Sequence, residues 1–351
     1  MLKNMLLLLI SSLISLAALE LVLRVLMPER LAFVPALYNG ELTYLPDQWQ
    51  RSRHLEWDYD VTINADGFRN DRTADSLPAG TILALGDSFT EGYGVALEDA
   101  YPKLLEQLLE REGGTAHVYN AGHYDTGLPT YRAVYHAFFR ENRAIDRVII
   151  GLFVGNDVLR TAKPGDGRLS AGNEFGDGWR YRLKVFLGSH VAIYAVANHT
   201  IKTNPVLFKL CQRLGACYHP HPPNIYDPEV IARVTPLTVR FVRDFVTEIR
   251  ADGRQAVVLL IPTREQTNEA LWQAASAEYG GEAADNRHTL NVRIAKELRS
   301  AGIEVIELGE PAARYERDQD ANLYFRYDGH WNPAGHRFAA DALARFLSPP
   351  D

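Results

Sequence analysis

Three side chains in this chain have the types and surroundings that nucleophilic chemistry requires. Ser88 stands just past a short apolar run, in Ile82-Leu83-Ala84-Leu85-Gly86-Asp87-Ser88-Phe89-Thr90. A buried strand that stops at a tight turn would present that hydroxyl at a sheet edge. Far downstream, Asp328-Gly329-His330-Trp331-Asn332 sets a carboxylate and an imidazole two residues apart. A serine hydroxyl is a poor nucleophile until a base takes its proton, and a carboxylate can hold an imidazole in the tautomer that does so. The chemistry implied is acyl transfer: Ser88 attacks, His330 carries the proton, Asp328 orients.

The elements that must position these groups can be read from the alternation of patterns. Apolar runs rich in β-branched residues occupy 81–86, 116–120, 147–153, 256–261 and 303–308. Helical patterns lie at 98–112, 130–143, 229–251, 286–300 and 333–347. Strands alternating with helices predict a parallel sheet covered on both faces. Five strands with right-handed crossovers give a three-layer α/β/α flavodoxin-like fold with a five-stranded parallel sheet. Chemistry in such folds sits just past the carboxyl ends of strands. Ser88, Gly122 and Asn156 all fall there. Asn332 followed by Pro333 supplies a cap and first-turn proline for the last helix, so His330 is not needed for capping. His336, one turn inside that helix, is the rival base.

Four blocks in order resemble the GDSL family of esterases, also called SGNH hydrolases: Gly86-Asp87-Ser88-Phe89-Thr90, Asn120-Ala121-Gly122, Gly155-Asn156-Asp157 and Asp328 with His330. They span roughly residues 81 to 345. Phe89 stands where the family's short name has leucine. The spacing here is Asp-x-His, not the Asp-x-x-His of many members. The shorter form resembles the branch containing alginate-type O-acetyltransferases, which often reads Asp-x-His-Trp. The resemblance implies a serine esterase or acyltransferase needing neither cofactor nor metal. Three donors are expected to face the oxyanion: the Ser88 backbone N–H, the Gly122 backbone N–H and the Asn156 side-chain amide. Glycine at 122 lets backbone approach substrate without a Cβ. Asp87 and Asp157 are read as structural, and His123 as a turn residue beside the pocket.

Composition bounds the rest. The 351 residues are 46% apolar and 23% charged, ordinary for a globular protein. The net charge of −7 gives no reason to expect nucleic acid. Residues 1–28 differ: Met5 to Leu19 carries no charge, and apolar residues continue to Met27 around Glu20 and Arg24. A 23-residue helix is about 34 Å long, enough to cross a bilayer core. The expectation is an uncleaved single-pass anchor in the cytoplasmic membrane. A cleaved signal peptide ending near Ser15-Leu16-Ala17 and a buried core helix are the alternatives. The family resemblance sets the catalytic domain, 81–351, outside that membrane.

Residues 29–80 read as a connector. Within it, Asn64-Ala65-Asp66-Gly67-Phe68-Arg69 is either a turn packed on the sheet edge or brings Arg69 to the active-site mouth. Residues 158–228 are too long for a plain connection and read as an insertion that walls the site, with Phe175, Trp179 and Tyr181 suited to packing sugar or acyl groups. Cys211 and Cys217 can form a small disulfide or remain free thiols, or Cys217 can join His219 and His221 as a soft metal site. The substrate expected is an acylated small molecule or carbohydrate. A lipid or thioester hydrolase, and a non-catalytic binding module, are the competing readings.

Overall fold

The computed structural model describes residues 2–26, 43–44, 46–111, 116–124, 126–161, 183, 187, 191–214, 225–279 and 281–348. The long apolar helix Leu2–Leu26 comes first. A two-stranded antiparallel hairpin follows, β1 (Trp49–Arg53) with β2 (Asp58–Thr62). The main sheet is built from β3 (Thr81–Gly86), β4 (Val118–Gly122), β5 (Ile145–Phe153), β6 (Gln255–Ile261) and β7 (Glu304–Glu307). All its pairings are parallel and its order is β4-β3-β5-β6-β7. That is the flavodoxin-like order, with the reversal between β3 and β5.

Alternation along the strands makes the three layers. Leu83, Leu85, Val148, Ile150, Val258 and Leu260 face one core, shared with helices Leu128–Val134, Pro228–Ala251 and Thr289–Ser300. Ile82, Ala84, Ile149, Val257, Leu259 and Ile261 face the other, shared with helices Tyr101–Arg111 and Pro333–Leu347. A strand buried on both faces must be apolar at every position, which is why these segments read as continuous runs. Each fully buried Leu or Ile contributes about 1.5–3 kcal/mol. The last helix starts as its sequence requires: Asn332 Oδ1 accepts from the Ala334 and Gly335 N–H groups, and Pro333 opens the first turn.

Some of the sequence expectations change. The pattern at 130–143 becomes helix Leu128–Val134 continuing as a π-helical turn, Tyr135–Phe139. Helices Arg264–Thr267, Glu269–Tyr279 and Gly309–Gln319 were not anticipated. The connector contains the β1–β2 hairpin. In the insertion, helices Ala192–Thr203 and Pro205–Arg213 are described. Cys211 is disulfide-bonded, so it is not a free thiol. Phe175, Trp179, Tyr181, Cys217, His219 and His221 lie outside the described residues, and the expectations placed on them stay where the sequence left them.

Candidate active site

The serine half of the site is made by the end of β3. The chain leaves the sheet at Gly86, and the Asp87 carboxylate accepts the Phe89 N–H at 3.0 Å, starting the short helix Ser88–Glu91. Gly92, at φ +86°, ends that helix in the left-handed region. Ser88 is buried at its head, 4% exposed.

The acid–base half is the loop between helices Gly309–Gln319 and Pro333–Leu347. An isolated antiparallel bridge, Tyr324 to Trp331, closes its base. The Phe325 N–H donates to the His330 carbonyl at 2.9 Å. Within the loop, the Asp328 carboxylate accepts the His330 N–H at 2.9 Å and contacts His330 Nδ1 through the same oxygen.

The two halves meet: Ser88 Oγ lies 2.8 Å from His330 Nε2. Asp328, His330 and Ser88 therefore form one continuous hydrogen-bonded line. Phe89 and Tyr93 flank the imidazole, with ring centroids 5.1 and 4.8 Å away. The His330 and Asp328 side chains remain 19% and 15% exposed, so the line is reachable from solvent. Burial alone would lower the imidazole pKa. The neighbouring Asp328, and beyond it Asp87 and Glu91, outweigh burial and hold His330 above its ordinary value. Burial would raise Asp328, but the imidazole and its two hydrogen bonds hold that carboxyl below the usual range.

His336 has a different place. It is fully buried, accepts the Tyr101 N–H through Nδ1 at 3.3 Å and packs edge-on to Trp331. Burial pushes its imidazole down to about 3. It reaches the core behind the loop, and His330 alone reaches Ser88.

Gly122 requires a correction. Its N–H is already donated, at 2.9 Å, to the Asn120 side-chain oxygen, so it does not point at an incoming carbonyl. The glycine is needed for close approach instead. A Cβ there would lie 2.2 Å from the Glu91 nitrogen and 2.6 Å from the Thr90 carbonyl carbon. Gly122 lets the Ser88 helix rest directly on β4. Asn156 does sit at the site, its Nδ2 3.5 Å from the Asp87 carboxylate. Asp87 and Asp157 are both fully buried. Burial pushes Asp87 up to about 6, and burial together with the Asp87 charge raises Asp157 well above the usual carboxylate range. Tyr131 OH and the Phe153 N–H both donate to Asp157 Oδ2; Oδ1 is buried without a partner among the described residues.

The connector holds residues that sequence reasoning missed. Glu56, in the turn between β1 and β2, accepts the Arg326, Tyr327 and Asp328 N–H groups at 2.6, 3.0 and 3.0 Å. Trp57, beside it, packs on Tyr93 and Phe325. Arg69 is 1% exposed and is not at the mouth. It donates to the Gly92 and Val95 carbonyls, both at 2.6 Å, under the turn that follows Ser88. Glu91 is buried there too, accepting Tyr44 OH and the Tyr124 N–H. No periodicity announces such polar clamps.

Among the described residues one trio could hold a metal: Glu106, Glu110 and His117. Glu106 already accepts from Arg72, Lys103 and the Val118 N–H, so the trio belongs to an ion-pair network at the opposite, amino edge of the sheet.

Residues 231–350 match the family model described as an SGNH hydrolase-like domain, acetyltransferase AlgX. No curated protein matches the sequence. Among solved structures, the acetyl xylan esterase AlAXEase is similar over 76% of this chain and 100% of its own, at 13% identity and TM-score 0.43. A member of the lipolytic protein G-D-S-L family from Veillonella parvula DSM 2008 is similar over 76% and 97%, at 11% identity and TM-score 0.42. TesA is similar over 77% and 98%, at 16% identity and TM-score 0.41. Likeness at that level says nothing about activity. The last third of the chain, with Asp328 and His330, is thus similar to the SGNH hydrolase-like domain of AlgX, and the blocks around Ser88, Gly122 and Asn156 resemble the same family.

Proposed function

We propose that this protein is a membrane-anchored serine O-ester hydrolase or O-acyltransferase that works through an acyl-Ser88 intermediate on O-acylated carbohydrate outside the cytoplasmic membrane. The observation that carries the proposal is the 2.8 Å contact between Ser88 Oγ and His330 Nε2, with Asp328 on the far nitrogen. Ser88 Oγ attacks the ester carbonyl while its proton passes to His330 Nε2. Asp328 stabilises the imidazolium. The tetrahedral oxyanion is met by the Ser88 backbone N–H and the Asn156 amide, each such donor worth roughly 10²–10³ in rate. Collapse breaks the bond to the leaving alkoxide, which takes the proton back from His330. Water, or a sugar hydroxyl, then gives His330 its proton and attacks the acyl group, restoring Ser88.

The acyl-transfer reading is supported by the match to the AlgX acetyltransferase domain, and the carbohydrate reading by the Asp-x-His-Trp form of the last block, which resembles alginate-type O-acetyltransferases. The membrane reading is supported by helix Leu2–Leu26, the one described helix long and apolar enough to span a bilayer. Incubating the full-length protein with an acetyl ester and acetyl-free oligosaccharides, and analysing products by mass spectrometry, tests both outcomes. Acetate alone makes it an esterase, and acetylated sugar makes it a transferase. Turnover by a folded Ser88→Ala variant would reject the mechanism.

A further inference from the structure

Helix Pro205–Arg213 has two faces of opposite character. Phe208 is buried and meets His54 and Tyr327 edge-on, at 5.2 and 6.0 Å between ring centroids. Tyr327 immediately precedes Asp328. On the other side Val206, Leu207, Leu210 and Leu214 are all exposed, Val206 and Leu214 at 74% and 73%. The Leu214 N–H donates to the Leu210 carbonyl, so the helical path continues to that residue. With 3.6 residues per turn, the four side chains share an arc of about 100°. Lys209 and Arg213, both exposed, border the arc on its Val206 side. Single exposed leucines need no explanation. A contiguous aliphatic face edged by basic residues is the pattern of a helix lying in a membrane interface.

The position of this helix points the same way. The helix before it, Ala192–Thr203, starts against Leu2–Leu26. The Glu20 carboxylate accepts the Ala192 and Ile193 N–H groups at 2.8 and 3.0 Å, and Arg24 pairs with the same carboxylate at 2.9 Å. These N–H groups belong to a helix start and have no partner within their own helix. Glu20 lies six residues before Leu26, or about 9 Å along the axis. A 25-residue helix is about 37 Å long against a hydrocarbon core of about 30 Å, which sets Glu20 and Arg24 near one edge of that core. Asn204 alone separates Ala192–Thr203 from Pro205–Arg213, so the second helix is held near the same level.

We propose that helix Pro205–Arg213 lies in the bilayer interface beside the anchor. Its aliphatic arc enters the acyl boundary, and Lys209 and Arg213 stand at the headgroups. Through Phe208 the acid–base loop then rests on a platform seated on the membrane. This inference rests on Leu2–Leu26 spanning the bilayer and is independent of the ester chemistry.

The test uses the full-length protein in phospholipid nanodiscs, with a benzophenone side chain introduced in turn at Leu210, Leu214, Leu13 and Val292. Leu13 lies in the apolar helix, and Val292 is an exposed residue of helix Thr289–Ser300. Irradiation should join lipid to positions 210 and 214 at yields near those at 13 and well above those at 292. Yields at 210 and 214 no greater than at 292, with position 13 labelled, would overturn the platform while leaving the anchor. Crosslinks from 210 or 214 to a second protein copy in place of lipid would also overturn it. Failure at position 13 would remove the span and the proposal with it, and would leave the acyl-serine mechanism standing.

Discussion

Ser88 and His330 approach to 2.8 Å, yet the two sides of that contact are held by different means. The serine side is local. The end of β3, the Asp87 cap and the Gly92 turn all fall within seven consecutive residues, 86–92. The acid–base side has no such support. Its loop is closed by the Tyr324–Trp331 bridge and gripped from outside by Glu56, 270 residues away from Arg326 in sequence. The difference teaches that the nucleophile's position is written into neighbouring residues, whereas the base's position depends on a hairpin that is not part of the sheet. Changes on the serine side should remove chemistry. Changes at the hairpin should loosen geometry.

The largest effect is expected on the serine side. Ser88→Ala should lower kcat/KM for an activated acetyl ester by about 10⁴ or more with an unchanged melting temperature. A loss on the hairpin side should be smaller and of another kind. Glu56→Ala leaves three N–H groups of the acid–base loop without their acceptor. Since a misplacement of about 1 Å can cost about 10²-fold, kcat should fall by roughly that factor while KM holds. Glu56→Gln, which keeps acceptor oxygen but loses charge, should recover part of the loss. If both variants lose only thermal stability, the clamp is structural and the contrast between the two sides is weaker than drawn.

The pH profile sharpens the comparison further. His330 must be neutral to take the serine proton, and its neighbours hold it above the ordinary value of about 6.5. The ascending limb of kcat/KM should therefore lie above that pH. Removing a negative charge destabilises the imidazolium, so Glu91→Gln should move the limb toward lower pH.

The smallest effect on rate is expected at His336, six residues from His330. His336→Gln should leave kcat/KM nearly unchanged. Its effect belongs to stability. The folded-state value is depressed to about 3, so below the unfolded value of about 6.5 the unfolded chain binds more protons. Stability contributed by neutral His336 is present above about 6.5 and is lost as pH falls toward 3. The gap in melting temperature between wild type and His336→Gln should shrink over that window, by calorimetry at a series of pH values.

Much of this arrangement was legible in the sequence, for reasons that differ by region. β3, β5 and β6 are covered on both faces, so nearly every position is apolar and the runs stand out. Ser88 and Asn156 could be singled out by their types at strand ends, and the Asp328–His330 pair by its types and close spacing. Gly122 was misread: a glycine fits a backbone donor and a helix pressed on a strand equally well, and only the Asn120 contact separates the two. Helix Gly309–Gln319 escaped notice because it opens with Gly-Glu-Pro and buries little beyond Ala312 and Glu316. Glu56, and the contacts that Arg69 makes, were hidden for a deeper reason. Their partners are backbone groups distant in the chain, and such contacts leave no period in the sequence.

The central claim is that His330 activates Ser88 for acyl transfer. It is tested most directly by quenching the full-length protein during turnover of an activated acetyl ester and locating the acetyl group by peptide mass spectrometry. One acetyl group on Ser88, accumulating in wild type and absent from His330→Ala, is the predicted result. An acetyl group on another residue, or turnover in the folded Ser88→Ala variant with no acyl-protein formed, would contradict the account.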